Sequence, residues 1–363
     1  MVRIPDNIVA FSGGNTDLYS AWVDYFNHYK NEFQKKNVDY DHSMSFAEKT
    51  DKLDKAIKAE IAKAAGSNNS NFSDEIFRNS PNYKWATYAV IGAMIDIILP
   101  DTIIEDFANI AEVRVGAWGD NFAFDIESND LFTVTQAGQG RRNAFAQRAY
   151  TNQVTLTPTS RMITVEEDLY RILSGKVNLA EWVLKCTRSI ETEMSIDVFT
   201  ALDSTYGSLL ANFQVNGYTQ SAFTTLAQTV TATNFGAQCV CFGTKNAISQ
   251  ILPANDFLKM QLGDTYSKLG YITTFFGVDI FEVPQRINWL SGTYNFALND
   301  QHLYFISTSA QKLIKVGLEG DLLAITDAAT DNANLVQTTT LIKKYGVILA
   351  SNAKYGILSL NGS

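Results

Sequence analysis

The sequence predicts an α+β fold from which a long β-hairpin projects, and three patterns carry that prediction. Apolar residues recur at helical spacing within the first hundred positions and again from 178 to 204, the period drops to two between 113 and 165, and short strand-like runs follow Gly217. A chain of 363 residues, at a prior of about 150 per domain, makes two lobes or one core with long excursions. Apolar residues are 46% but charged ones only 18%, against roughly 25% in ordinary soluble proteins. Asn, Gln, Ser and Thr replace the missing charge, a composition suited to wide packed interfaces. The net charge of −9 and a pI near 4.9 exclude a general grip on nucleic-acid phosphates.

Residues 1–100 read as an N-terminal arm with helices, extended up to about residue 80. The Ser45–Ala65 stretch is its clearest helix: Phe46, Leu53, Ile57 and Ile61 fall on one stripe and Gly66 supplies a stop. Lys49, Lys52, Lys55, Lys58 and Lys63 alternate with Glu48, Asp51, Asp54 and Glu60, which marks a solvated face and leaves the apolar stripe to dock on a partner. The run from Gly66 to Asn71 reads as a linker. Polar arms are ordered only where tied down, and a neighbouring copy is the expected tether. No charged segment followed by an apolar one opens the chain, so no secretory signal is expected. Trp85–Leu99, the most apolar stretch, carries Asp96 and falls short of the 20 or so residues of a bilayer span, so it reads as a buried helix.

The period-two segment contains Val113 and Val115, then Phe122, Phe124 and Ile126, then Val154 and Leu156, then Met162 and Thr164. Between its arms lies a Gly/Arg tip, Gln136–Asn143, with Gly138, Gly140, Arg141 and Arg142, and Arg148 beyond. A two-stranded projection is marginal alone in water and needs a surface to lie on. Next comes a spine helix over about 178–204, with Leu179, Trp182, Val183, Cys186, Ile190, Met194, Val198 and Leu202 along one stripe, some 40 Å long at about 1.5 Å per residue. Trp182 is its expected core anchor, with a cost of about 3–5 kcal/mol on truncation to Ala. Strands are expected at Cys239–Phe242, Val278–Val283, His302–Ile306 and Lys312–Val316, with a helix over Thr244–Leu252 before Pro253. Thr338–Tyr345, Val347–Ala350 and Tyr355–Leu360 close the chain.

This order resembles the major capsid proteins of tailed bacteriophages, the Hong Kong 97 type of fold. The segments that carry the likeness are Glu112–Phe124, Asn129–Phe132, the Gly-Gln-Gly-Arg-Arg tip, and Leu179–Trp182 through Arg188–Glu193. It extends from about Asp101 onward and rests on order, length and character, with no invariant motif. The resemblance implies that 113–165 is an extended loop lying across an adjacent subunit. It implies a peripheral domain of 101–112, 166–229 and 336–363 and an axial domain of 230–335. It further implies self-assembly into pentamers and hexamers of an icosahedral head, with scaffolding and portal proteins, decoration proteins and enclosed double-stranded DNA as partners. The DNA is held without sequence-specific contacts, no membrane is involved, and the shell forms in the host cytoplasm to become part of the virion. Some relatives weld their shells through a Lys in the extended loop. No Lys occurs here between Lys84 and Lys176, so no such cross-link is expected, nor is removal of an N-terminal scaffolding segment. The same fold builds encapsulin-type compartments, against which the long N-terminal segment argues.

Catalytic candidates are weak. Phe11–Asp17 is similar to the phosphate loop of PP-loop ATP pyrophosphatases, but Thr16 and Asp17 are shifted and the final Ser is missing, so a turn before a helix explains it better. The Gly138–Arg142 tip lacks the strand and helix of a dinucleotide site, and its arginines suit carboxylates of a neighbour. His28, His42 and His302 are scattered, and Asp39–His42 falls short of three convergent zinc ligands. Glu166–Asp168 and Glu191 with Glu193 are acidic groups explained by helix ends and exposed helix faces. Cys186, Cys239 and Cys241 read as buried thiols, and no nucleophile signature such as G-x-S-x-G is present. No catalytic residue, cofactor or metal site is expected.

Overall fold

The computed structural model describes residues 6–14, 16–66, 81–107, 110–127, 131–132, 134, 146–148, 151–168, 178–252, 266–289, 294–308, 311–326 and 336–361. Its helices are α1 (Asp6–Phe11), α2 (Asp17–Gln34), α3 (Phe46–Ala64), α4 (Pro81–Phe107), the spine α5 (Leu179–Asp203), α6 (Gln220–Thr233) and α7 (Lys245–Ser249). Strands β1 (Ala111–Gly116), β10 (Ile314–Thr326), β11 (Val336–Leu349) and β4 (Thr159–Asp168) form a four-stranded sheet in the order β1-β10-β11-β4. A six-stranded sheet runs β5-β12-β9-β6-β8-β7 through Gln214–Asn216, Gly356–Ser359, His302–Ser307, Cys239–Thr244, Val278–Val283 and Thr274–Phe275. The α+β class expected from the sequence is thus present.

Within the first hundred residues, the described ones, 6–14, 16–66 and 81–100, form a packed helical layer and no extended arm. Leu18, Trp22, Tyr25 and Tyr29 recur at three- and four-residue spacing and bury one face of α2, with the Trp22 indole N–H donating to the Met94 carbonyl at 2.9 Å. Tyr25 stacks on Phe46 with ring centroids 4.7 Å apart. The α3 helix starts at a reciprocal capping box, Ser45 with Glu48, and its apolar stripe, open for a partner by sequence, packs inside this chain in the same core as α2, α4 and the spine. Lys49, assigned to the solvated face, is buried and pairs with Asp24 at 2.5 Å.

The spine keeps its expected bounds because Asn178 caps it, accepting the Ala180 N–H at 3.0 Å. Its buried stripe runs through Ala180, Val183, Ile190, Met194 and Val198. Leu179 and Trp182 flank that stripe in the first turn and are half-buried, so they are edge residues and not the core anchors expected. Glu191, expected on the exposed face, is buried beside Arg286 at 3.8 Å.

Both sheets cross the sequence boundaries drawn between peripheral and axial parts. Ile314–Thr326 was placed in the axial segment, yet it lies in the four-stranded sheet between β1 and β11. Gly356–Ser359 was placed in the peripheral segment, yet it pairs with β9 and β5 in the six-stranded sheet. The reason is register: long-range pairing leaves no local mark on a short apolar run.

One face of the four-stranded sheet packs on the helices through Ile314, Val316, Leu318, Leu341 and Tyr345. On that face Lys343 reaches Asp96 of α4 at 2.5 Å and the Gly320 carbonyl at 2.7 Å, while Asp96 also accepts the Leu322 N–H at 2.6 Å. Burial raises the Asp96 carboxyl above its ordinary value, an effect that Lys343 offsets only in part. The contact falls where the β10–β11 register slips between Glu319 and Leu323, so one carboxylate satisfies the backbone a bulge leaves open.

Truncating Trp22, 0% exposed, to Ala is expected to cost about 3–5 kcal/mol, and the same change at half-buried Trp182 measurably less; urea unfolding of both variants checks the order. Lys343→Met, which strands the buried carboxyl, is expected to cost about 3–5 kcal/mol, and the double variant Asp96→Asn/Lys343→Met, which keeps an acceptor for Leu322, to recover much of it in the same assay.

Candidate assembly surfaces

The excursion begins and ends in the four-stranded sheet. Val113 and Val115 belong to β1, paired parallel with β10, and Met162 and Thr164 to β4, paired with β11. Among the described residues, β2 (Phe122–Glu127) and β3 (Thr151–Leu156) form the hairpin proper, antiparallel with Phe122 opposite Leu156. Its base lies on its own subunit, where Phe122, Phe124 and Leu156 form a small buried cluster with Ile348 packed against it. The surface thought to be missing is therefore supplied by this chain at the base.

Further out the side chains lose that cover. Leu131, Phe132 and Val134 are 76%, 58% and 95% exposed. Arg148 is exposed, whereas Gly138, Gly140, Arg141 and Arg142 lie outside the described residues. The outer sheet face beyond the hairpin is also bare: Met162, Leu323 and Ile325 are exposed, and the register sets Leu323 beside Ile342 and Ile342 beside Met162 in one cross-strand row. Trp289, Tyr294 and Phe296 stand exposed on the segment after β8. Sequence reading missed these surfaces because an exposed and a buried apolar residue look alike until the packing is known. Large apolar side chains left exposed in a row like this suit an interaction surface.

Charge at the hairpin base is paired. Glu112 accepts from Lys315 at 2.6 Å and pairs with Arg114 at 2.9 Å, while Arg114 spans to the Ala123 carbonyl of β2 at 2.6 Å. Burial alone would raise the Glu112 carboxyl, but Lys315 and Arg114 hold it below the usual carboxylate value.

The candidate chemical motifs come apart in space. A short helix, α1, precedes Gly13 and Gly14, which adopt positive φ of 64° and 86°, where a phosphate loop would follow a strand; Ser12 turns its hydroxyl back to the Val9 carbonyl at 3.0 Å. His28 stacks on Tyr40 at 4.2 Å, and Asp41 accepts from Ser43 at 2.9 Å. His302 meets Asp203 at 2.5 Å, where Tyr304 also donates at 3.0 Å, fastening the end of the spine to β9. Burial pushes the thiols of Cys186 and Cys239 up to about 12 and that of Cys241 up as well. Glu166 sits opposite Thr338 on β4. Among the described residues no group of three His, Cys, Asp or Glu side chains converges for a metal ion, and no helix is long and apolar enough to cross a membrane.

A hairpin base seated on its own sheet, with apolar residues left exposed beyond it and on the sheet face, suits a surface that packs against other protein. The chain belongs to the family described as "SPbeta prophage-derived putative capsid protein YonB", whose model matches residues 26–359. It is thus a capsid protein, the class that the resemblance implied. Solved structures similar to it include the capsid of cyanophage P-SCSP1u, 10% identical with a TM-score of 0.48 over 71% of this chain and 88% of that one. Others are the native GTA particle capsid, 10% identical with a TM-score of 0.46 over 72% and 90%, and Microbacterium phage Oxtober96, 11% identical with a TM-score of 0.44 over 69% and 89%. A search of curated protein sequences finds no match.

Because the Glu112 carboxyl is held low, its stabilising contribution is complete above its ordinary value of about 4.5 and is lost as pH falls through the lower folded value. Glu112→Gln is therefore expected to flatten the fall of the urea midpoint between about pH 5 and pH 3, measured on both proteins at matched salt.

Proposed function

We propose that this chain is the major capsid protein of a tailed double-stranded DNA phage, assembling with itself into the pentamers and hexamers of an icosahedral head. The observation that carries this reading is the pairing of family membership with apolar residues that the subunit leaves uncovered: Leu131, Phe132 and Val134 beyond the hairpin, and the sheet-face residues Met162, Leu323 and Ile325. The reading assigns the excursion, with Arg141, Arg142 and Arg148 toward its tip, to a neighbouring subunit whose carboxylates pair with guanidinium groups. The four-stranded sheet with its helices is assigned to the peripheral part of the subunit, and the six-stranded sheet to the part around the symmetry axes. Heterologous contacts of this kind close into rings when the rotation permits.

The role is structural and carries no chemistry of its own. Scaffolding and portal proteins are the expected partners in the host cytoplasm, decoration proteins the optional ones, and the finished location is the virion. A net charge of −9 suits a wall that does not hold its DNA, since packaged genome has to leave.

Negative-stain imaging of the expressed full chain, alone and with a scaffolding partner, is expected to show closed shells or ring-shaped capsomers. Tubes, or a monomer under both conditions, would overturn the reading. Deleting Gln136–Asn143 is expected to leave the melting temperature of the subunit unchanged and to abolish closed shells; unaltered shells would remove the bridging role from the excursion.

A further inference from the structure

The hairpin base rests on a saddle from which side chains have been removed. Gly317 of β10 and Gly346 of β11 are cross-strand partners, and neither has a positive φ, so no backbone conformation demands glycine there. Glycine inside a strand weakens it, and the reason for accepting that is proximity. A Cβ on Gly317 would lie 2.9 Å from Leu156 and 3.0 Å from Phe122, and one on Gly346 would lie 2.9 Å from Leu156. At the sheet edge, a Cβ on Gly116 would meet the Phe122 ring at 3.0 Å, and at the bulge one on Gly320 would meet Trp118 at 2.5 Å.

Two polar ties hold the same body from either side. On one, Phe124 is capped by the Arg114 guanidinium, 4.4 Å from its ring centroid, with the buried Lys315 ammonium at 5.7 Å. On the other, Glu319 accepts the Gly119 N–H at 3.0 Å and pairs with Lys344 at 3.2 Å, while Lys344 lies 5.4 Å from the Trp118 ring centroid. The turn between β1 and β2 is thereby fixed to the bulge in β10.

We propose that this glycine saddle is the positioning element of assembly: it fixes the direction in which the excursion leaves the subunit, and so selects the closed form that copies build. The proposal rests on the capsid reading for its consequence, but the seat itself is a property of one subunit. Phe122, Phe124 and Leu156 form a cluster separate from the two large cores, so unseating the hairpin leaves those cores intact.

The test is Gly346→Val in the full chain, read by hydrogen exchange and by imaging. Amides of residues 122–127 and 151–156 are expected to exchange about ten-fold faster or more, with helix α5 and strand β9 unchanged, and closed shells to give way to open or irregular ones. Gly346→Val with Leu156→Ala, which removes the closest clash and leaves the Pro158 Cα 3.3 Å from the new Cβ, is expected to restore slow exchange and closed shells in part. Wild-type exchange in the hairpin of Gly346→Val would overturn the seat. Fast exchange with normal shells would overturn its role in choosing the closed form. A wild-type protein that never assembles would sink the capsid reading instead, and the exchange data would still decide the seat. If Gly346→Val does not fold, Phe124→Leu, which removes the ring between Arg114 and Lys315 without adding bulk, carries the same comparisons.

Discussion

The contact between Asp96 and Lys343 places one buried polar tie inside the apolar packing of α4 on the four-stranded sheet. Asp96 sits in the middle of the most apolar helix, Lys343 in the middle of the longest strand, and they meet at 2.5 Å. Because Asp96 also takes the Leu322 N–H and Lys343 the Gly320 carbonyl, the pair fixes the site at which β10 slips register. Beyond the slip, Leu323 and Ile325 turn outward to the uncovered face; before it, Gly317 lies under the hairpin. A buried ion pair adds little net stability against apolar residues of the same volume. Its contribution is to specify one arrangement of helix on sheet, with the uncovered sheet face on one side of the slip and the hairpin base on the other.

Local order was legible in the sequence, and long-range pairing was not. The spine could be bounded to within a residue because Asn178 is a strong cap and the apolar stripe is continuous. The helical layer was misread as an arm because its signal is aromatic and partly polar: Trp22, Tyr25 and Tyr29 are as much interface as core residues by type, and His28 and Lys30 are buried among them. Trp182 was overvalued for a related reason, since size alone does not show whether a residue sits at the centre or on the flank of a buried stripe. The division of the strands between two sheets left no trace, because β10 and β12 read equally well as members of either.

The candidate surfaces were half visible. Period-two alternation announced the excursion, and the absence of Lys within it was plain. Its docking on Gly317 and Gly346 was invisible, since a glycine needed for close approach looks like any other glycine until the opposing side chain is known. A sheet face that is covered at one end by its own hairpin and bare at the other is a product of tertiary placement, and only the register shows it.

The strand order of the larger sheet sets a schedule for synthesis. Strand β5 has β12 as its neighbour, and β12 in turn lies beside β9, so Gln214–Asn216 waits unpaired until residues near 356 have left the ribosome. The smaller sheet waits in the same way for β11 before β4 and β10 can be joined. A nascent chain therefore carries neither finished sheet until β11 and β12 have emerged, and until then offers its neighbours on a polysome no completed sheet face. Late closure of both sheets slows folding, and in exchange it keeps sheet-mediated self-association behind the emergence of β12.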